Sequence, residues 1–289
     1  MSKYISCFLM GGLGNQLFQI FTTIAYGIRT SRRVVFPYSD ILTMGMDRNT
    51  YWESLLNSVK LFTTFNKKHG ITNEELFGLP QFKEKCHTYE IIPDIDIDNF
   101  MLFGYYQSYK YFDNEKETIF SLIKLKQQKA AIVQKYGYLF DSPNGVNYVS
   151  MHFRLGDYKS KQEYHPIMPI EYYEHALLNI SLKRDNIRVL YFCEAEDNDI
   201  VNSMVCSLKN LFNNIQLIKV DDNIPDWEQV LIMSCCNDNI TANSSFSWWG
   251  GYFNQNVGKI VCYPTLWFGP KAQHDVSDMF PINWTKISW

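Results

Sequence analysis

The residues of this 289-residue chain best suited to chemistry fall in four short stretches. In His152-Phe-Arg-Leu-Gly-Asp157 an apolar run leads straight into an arginine. A guanidinium presents a planar fork of donors that matches two phosphate oxygens, so Arg154 is a candidate phosphate grip. Strand alternation puts His152 and Arg154 on one face. Gly156 permits a turn and Asp157 is placed to orient the arginine; a purely structural Arg–Asp pair is the competing reading. In Asn243-Ser-Ser-Phe-Ser-Trp-Trp-Gly-Gly251 a strand ends, hydroxyls follow and a helix begins. Ser244 or Ser245 could cap that helix, or the same hydroxyls and the free amides could hold an anion. Gly11-Gly-Leu-Gly-Asn-Gln16 also sits between a strand and a helix, where glycines let backbone approach a ligand. It is a poor dinucleotide fingerprint, because the third glycine would fall at Leu17 and the next acid, Asp40, comes too late. It is no P-loop, since no Gly-Lys-Ser/Thr follows, and a tight structural turn remains an equal alternative. Asp94-Ile-Asp-Ile-Asp98 superficially offers a metal. Asn99 and Tyr105 stand where a calcium loop needs Gly and Glu, so three solvated aspartates on one strand face is the preferred reading. The six His are scattered, no Cys pair has zinc spacing, and no G-x-S-x-G elbow appears.

These stretches need elements to position them. Tyr4–Met10 reads as a buried parallel strand, and Leu17, Ile20, Phe21, Ile24 and Ile28 mark one face of a helix over 16–29. Val34–Tyr38 reads as the next strand. Residues 40–100 are less regular: a helix is expected over Glu53–Phe62 and a strand over His87–Ile92. A strand follows at Met101–Tyr106 and a helix over Lys116–Tyr136. The turn cluster Phe140-Asp-Ser-Pro-Asn-Gly145 is taken as the domain boundary, giving 1–144 and 145–289. The second half alternates strand and helix from Asn147 to Lys259–Tyr263, which is read as the final strand. Repeated βα units imply an α/β fold with parallel sheets, and two such halves imply two Rossmann-like domains facing a central cleft.

Lys plus Arg is 27 and Asp plus Glu is 30, a formal charge of −3, which argues against binding nucleic acid through bulk positive charge. With 46% apolar and 20% charged residues the chain is globular, not disordered. Aromatics make up 16%, which suits cores and sugar-binding clefts alike. No run is long and apolar enough to span a membrane, and the opening lacks a signal-peptide cleavage site. The seven cysteines, with no C-x-x-C, read as reduced core residues of a cytoplasmic protein, possible peripheral membrane association aside. Without a secretory route the sequons at Asn179, Asn239, Asn243 and Asn283 carry no meaning.

Taken together, the chain resembles the glycosyltransferase family 11, α-1,2-fucosyltransferases. Gly11-Gly-Leu-Gly-Asn-Gln-Leu-Phe-Gln19 is similar to that family's opening, and Gly104-Tyr-Tyr-Gln-Ser-Tyr-Lys-Tyr-Phe112 to its G-Y-F-Q-S-x-K-Y-F segment. His152–Tyr158 resembles H-x-R-R-G-D-Y except at Leu155, and Asn243–Gly250 resembles N-S-S-F-S-W-W-G. The resemblance implies a GT-B fold, with residues 1–144 on the acceptor side and 145–289 binding the donor. It implies GDP-β-L-fucose as donor, inversion to an α-1,2 linkage (O2 of galactose in a glycan being the family default), and no metal or other cofactor. Carried over, Arg154 meets the diphosphate and His152 the guanosine side. Asn243, Ser244, Ser245 and Ser247 lie near the phosphates, and Gly14 and Asn15 face the donor. Glu194, in Cys193-Glu-Ala-Glu196, is the candidate for the guanine edge. For the acceptor proton, Asp157, Glu163 and His165 all follow the Arg motif, and a related core-fucosylating family tilts the choice to Glu163. Leu155 removes whatever role the family's second arginine plays. Other readings stand beside this: transfer of another GDP-linked sugar or to another acceptor sugar, a non-catalytic GDP- or glycan-binding module, and a metal-dependent transferase using Asp94, Asp96 and Asp98.

Overall fold

The computed structural model describes residues 3–141, 145–272 and 274–289. The chain divides into two compact units, residues up to 126 with 274–281, and residues 127–273 with 282–289. The boundary read from the sequence at 144/145 lies inside the second unit, and part of its turn cluster, 142–144, lies outside the described residues.

In unit 1, strand β1 (Tyr4–Cys7) leads through the glycine turn into α1 (Leu13–Arg29). Both are almost wholly buried, the polar residues Gln16, Gln19, Thr22 and Thr23 of α1 included. Gly12 caps α1 with extended backbone, and Arg29 in the last turn complements the helix dipole. The strand expected over Val34–Tyr38 shrinks to β2 (Arg33–Val34), with Phe36 adding an isolated bridge to Thr63. Pro37 has no amide to extend the ladder. A small antiparallel hairpin follows, β3 (Ile41–Leu42) with β4 (Arg48–Asn49). In place of the helix expected over 53–62 there is a 3-10 helix, Asn57–Phe62. Helix α2 (Asn73–Phe77) starts in a complete capping box between Thr72 and Glu75. No strand forms over 87–92; β5 (Gln81–Lys83) takes its place, and β6 (Asn99–Phe103) completes a parallel sheet of order β2-β1-β6-β5. The long helix expected over 116–136 is two, α3 (Lys116–Leu122) and α4 (Leu125–Lys135), because Lys124 between them takes a left-handed φ of 55°.

Unit 2 follows the expected alternation closely: β7 (Asn147–His152), α5 (Ile170–Ser181), β8 (Ile187–Phe192), α6 (Asn198–Leu211), β9 (Gln216–Lys219), α7 (Asp226–Cys235), β10 (Asp238–Ile240), α8 (Ser245–Phe253) and β11 (Val261–Pro264). One strand was missed: β12 (Thr285–Ile287) pairs with β11 and is the last in the chain. The sheet is all parallel, of order β12-β11-β10-β7-β8-β9. Val149, Met151, Val189, Ile240 and Cys262 pack into its core. Each unit is a Rossmann-like α/β layer. All seven cysteines are free, and Cys86 and Cys206 are exposed, not core as expected.

Candidate functional site

In unit 2 the chain leaves β7 through α5 to β8 on one side, then returns after β9 to lay β10 on the other side. The carboxyl ends of β7 and β10 therefore flank a topological switch point, where open α/β sheets leave a crevice for ligands. The segments that emerge there are the Arg154 loop and the Asn243–Ser247 loop.

Arg154 is mostly buried and held on two sides, ion-paired to Asp157 and to Glu194. Its guanidinium also lies over the Tyr158 ring, 5.0 Å from the centroid. Burial works to raise the Asp157 carboxyl, but Arg154 and Lys161 outweigh it and hold the group below its ordinary value. Burial raises the Tyr158 phenol, which stays protonated and donates to the Asn243 carbonyl at 3.1 Å. Gly156 takes a φ of +37°, and a Cβ there would stand 2.5 Å from the Glu194 carboxylate. Its amide donates at 2.8 Å to Asp197, a fully buried carboxylate that also pairs with Lys159 at 2.5 Å.

His152 closes β7 and is buried, its ring 5.3 Å from Phe246 in the facing loop. Burial, with the charges of Arg154 and Lys219, pushes the imidazole down to about 3, so it is neutral near pH 7. Its Nδ1 and the Asn243 Oδ1 are buried polar atoms with no partner, one beside each strand end. Native interiors seldom leave such atoms unsatisfied, and a bound group could supply both.

The serine loop is less free than the sequence suggested. Ser244 Oγ accepts from the Phe246 amide at 3.3 Å as the N-cap of α8. Ser247 Oγ accepts from the Ala242 amide and donates to the Ser244 carbonyl. Asn243 Nδ2 donates to the carbonyls of Pro166 and Trp267. Ser245 is the half-exposed hydroxyl of the set, at the start of a nine-residue helix whose dipole favours an anion.

Glu163 is not gathered with Arg154's partners: it is exposed and paired with Lys271. His165 stacks on Tyr158, centroids 4.8 Å apart, and so lies nearer the Arg154 group by contact. Asp94, Asp96 and Asp98 are not on a strand. The backbone there wraps buried Arg32, which donates to the carbonyls of Ile95, Ile97 and Asp98. Among the described residues, the carboxylates that do converge are Glu194, Glu196 and Asp197.

Unit 1 holds the glycine turn. Gly11 has a φ of +75°, and a Cβ there would stand 2.5 Å from the Asn15 amide nitrogen. Gln16 Nε2 straps the turn, donating to the carbonyls of Gly11 and Asn49. Gly14 is buried in the first turn of α1, and Asn15 Oδ1 accepts from Gln107 at 2.8 Å. Gln107, which the site reading missed, is presented by a strained turn. Tyr106 before it has a φ of 51°, rare for an aromatic residue. The Glu84 carboxylate fixes that turn by accepting from the amides of Tyr105 at 2.7 Å and Tyr106 at 2.9 Å. Burial raises Glu84 above its ordinary value despite those two donors.

The profile of Glycosyl transferase family 11 matches residues 56–288. The chain is 23% identical to the O-antigen biosynthesis glycosyltransferase WbnK of Escherichia coli over 98% of its own length and 99% of that protein's. It is 28% identical to an alpha-1,2-colitosyltransferase of Escherichia coli over 64% of this chain and 61% of that one. Among solved structures, a glycosyl transferase family 9 protein from Veillonella parvula superposes with a TM-score of 0.51 at 11% identity, covering 99% of this chain and 86% of that chain. That likeness supports a fold of the GT-B type. With over half its length matched, the chain belongs to glycosyltransferase family 11 and is a glycosyltransferase.

Proposed function

We propose that the protein is an inverting fucosyltransferase that moves L-fucose from GDP-β-L-fucose to a hydroxyl of a glycan acceptor, O2 of galactose giving an α-1,2 linkage. The observation that carries this is Arg154, oriented by Asp157 and Tyr158 at the switch point beside the start of α8. In this reading the acceptor oxygen attacks the anomeric carbon from the face opposite GDP. The bond from that carbon to the diphosphate oxygen breaks, and its electron pair leaves with GDP. Arg154, the amides at the start of α8 and Ser245 stabilise the negative charge that builds on the leaving group. The neutral His152 and Asn243 line the nucleotide's path, with Ser244 and Ser247 holding the loop. Gly14 and Asn15 present the turn of unit 1 to the donor. Asp157, tied to two cations, serves to hold Arg154, and the acceptor proton passes to Glu163. Glu194 reaches a guanine edge only by leaving Arg154. No divalent ion is needed where arginine and amides meet the diphosphate.

A second reading, transfer of a different GDP-linked sugar, has one observation in its favour: a relative is named for colitosyl transfer. Calorimetry tests the shared premise. GDP should bind at least about tenfold more tightly than UDP, a difference of about 1.4 kcal/mol. Equal affinities would remove both readings. A panel of GDP-linked sugars against a glycan array, read by mass spectrometry, then decides between them.

A further inference from the structure

We infer that a cavity in unit 1 is a binding site for the apolar chain of a single-chain amphiphile with a phosphate head. The cavity has a volume of about 460 Å³ and uses none of the residues assigned above to donor or acceptor. Its walls are Ile24 and Ile28, one turn apart on α1, with Val34 of β2, Leu61 and Phe62 of the 3-10 helix, and Leu122 of α3. These apolar walls offer no partners to the hydroxyls of a sugar or the polar edges of a base. An alkyl chain would fill it and remove apolar surface from water.

The cavity also has polar and cationic lining. Arg33 and His69 line it, and no acidic side chain does. Arg33 makes one long contact, 3.4 Å to the His69 carbonyl. Among the described residues, no carboxylate lies within 4.0 Å of the charged groups of Arg33, Lys67 or Lys68. Lys67 and Lys68 are exposed and stand between lining residues Asn66 and His69. Arg32, by contrast, is spent on three carbonyls and Asp94. Arg33, a lining cation without a carboxylate partner in a chain of net charge −3, marks where an anion would sit. A phosphate head fits the Arg33 fork, and Lys67 and Lys68 directly precede lining residue His69 in the chain. Two of the apolar lining residues are themselves exposed, Ile28 at 44% and Leu61 at 59%.

Calorimetry on the full chain with tetradecyl phosphate, below the concentration at which it forms micelles, tests this directly. One molecule should bind per chain. Inorganic phosphate and tetradecyl maltoside should each bind at least about tenfold more weakly. Arg33→Glu and Leu61→Trp, both at exposed positions, should each weaken tetradecyl phosphate by a similar factor while far-UV dichroism and thermal midpoint stay unchanged. Arg33→Glu removes the head contact, and Leu61→Trp fills the cavity. Undiminished binding in either folded variant would overturn the assignment. So would vesicles of phosphatidylcholine and phosphatidylglycerol capturing the protein when free tetradecyl phosphate does not bind, since that pattern belongs to a bilayer surface. No nucleotide or turnover enters the measurement, so its outcome is independent of the transferase reading.

Discussion

Arg154 shows what one side chain asks of its surroundings. Asp157 lies three residues on, so their pairing was legible from spacing alone. Glu194 was legible only as an acid after a strand. It reaches Arg154 because β7 and β8 run parallel with His152 opposite Phe192, which brings the two strand ends together. Tyr158 was quoted in the motif, yet nothing in the sequence signals that its ring lies under the guanidinium. Arg154→Ala should cost on the order of 10²–10³ in kcat with the fold retained. Arg154→Lys should also be badly impaired, because a point charge lacks the two-donor fork. Activity within a few-fold of the parent for Arg154→Ala would reduce the residue to a structural role. His152 makes a different prediction. Its folded value of about 3 lies below the ordinary 6.5, so between those pH values the unfolded chain binds the extra proton. Stability from this group therefore rises with pH across that window and is lost on acidification, by at most about 1.4 kcal/mol per pH unit. Urea midpoints between pH 6.5 and 4 should fall less steeply for His152→Gln, and His152 should contribute no limb to the kcat profile near neutrality.

At the scale of elements, legibility followed regularity. The βα alternation of unit 2 was readable because its strands, buried on both faces, appear as unbroken apolar runs between amphipathic helices. Residues 40–100 were not, because strands of two or three residues and 3-10 turns are too short to show a period. The unread region contains a working part all the same. Glu84, just after β5, clamps the strained Tyr106 turn that offers Gln107 to Asn15. Gly104 is required there, since a Cβ would stand 2.3 Å from the Glu84 Cβ. Glu84→Gln replaces one acceptor with an NH2 that faces a backbone N–H. It should lower stability by about 1–3 kcal/mol, read from the urea midpoint. It should also lower kcat/KM more than the loss of folded protein explains. Unchanged kinetics in the folded fraction would confine Glu84 to architecture.

For the molecule as a whole, the charge balance and the parallel α/β pattern were open to reading, but the path of the chain was not. The proposal of a metal-free mechanism belongs at this scale. Transfer should survive excess EDTA, and the triple change Asp94, Asp96 and Asp98 to Asn should leave kcat/KM within a few-fold. Those carboxylates are exposed where they meet Lys3 and Arg32, and backbone carbonyls do most of the holding of Arg32. Turnover abolished by EDTA and restored only by Mg²⁺ or Mn²⁺ would return the aspartates to first place. Among the described residues no helix is long and apolar enough to cross a membrane. The interleaved path of the chain has its own consequence. After β11 the chain enters unit 1 for residues 274–281, where the Asp278 carboxylate accepts from Lys110 and from the Tyr89 amide, then returns to lay down β12 in unit 2. Neither unit is therefore a continuous segment that one cut could release. A chain truncated after 273 would lose an edge strand from one unit and an anchor from the other together. A single nick near 273 would thus threaten both units where, in a beads-on-a-string arrangement, it would cost one bead.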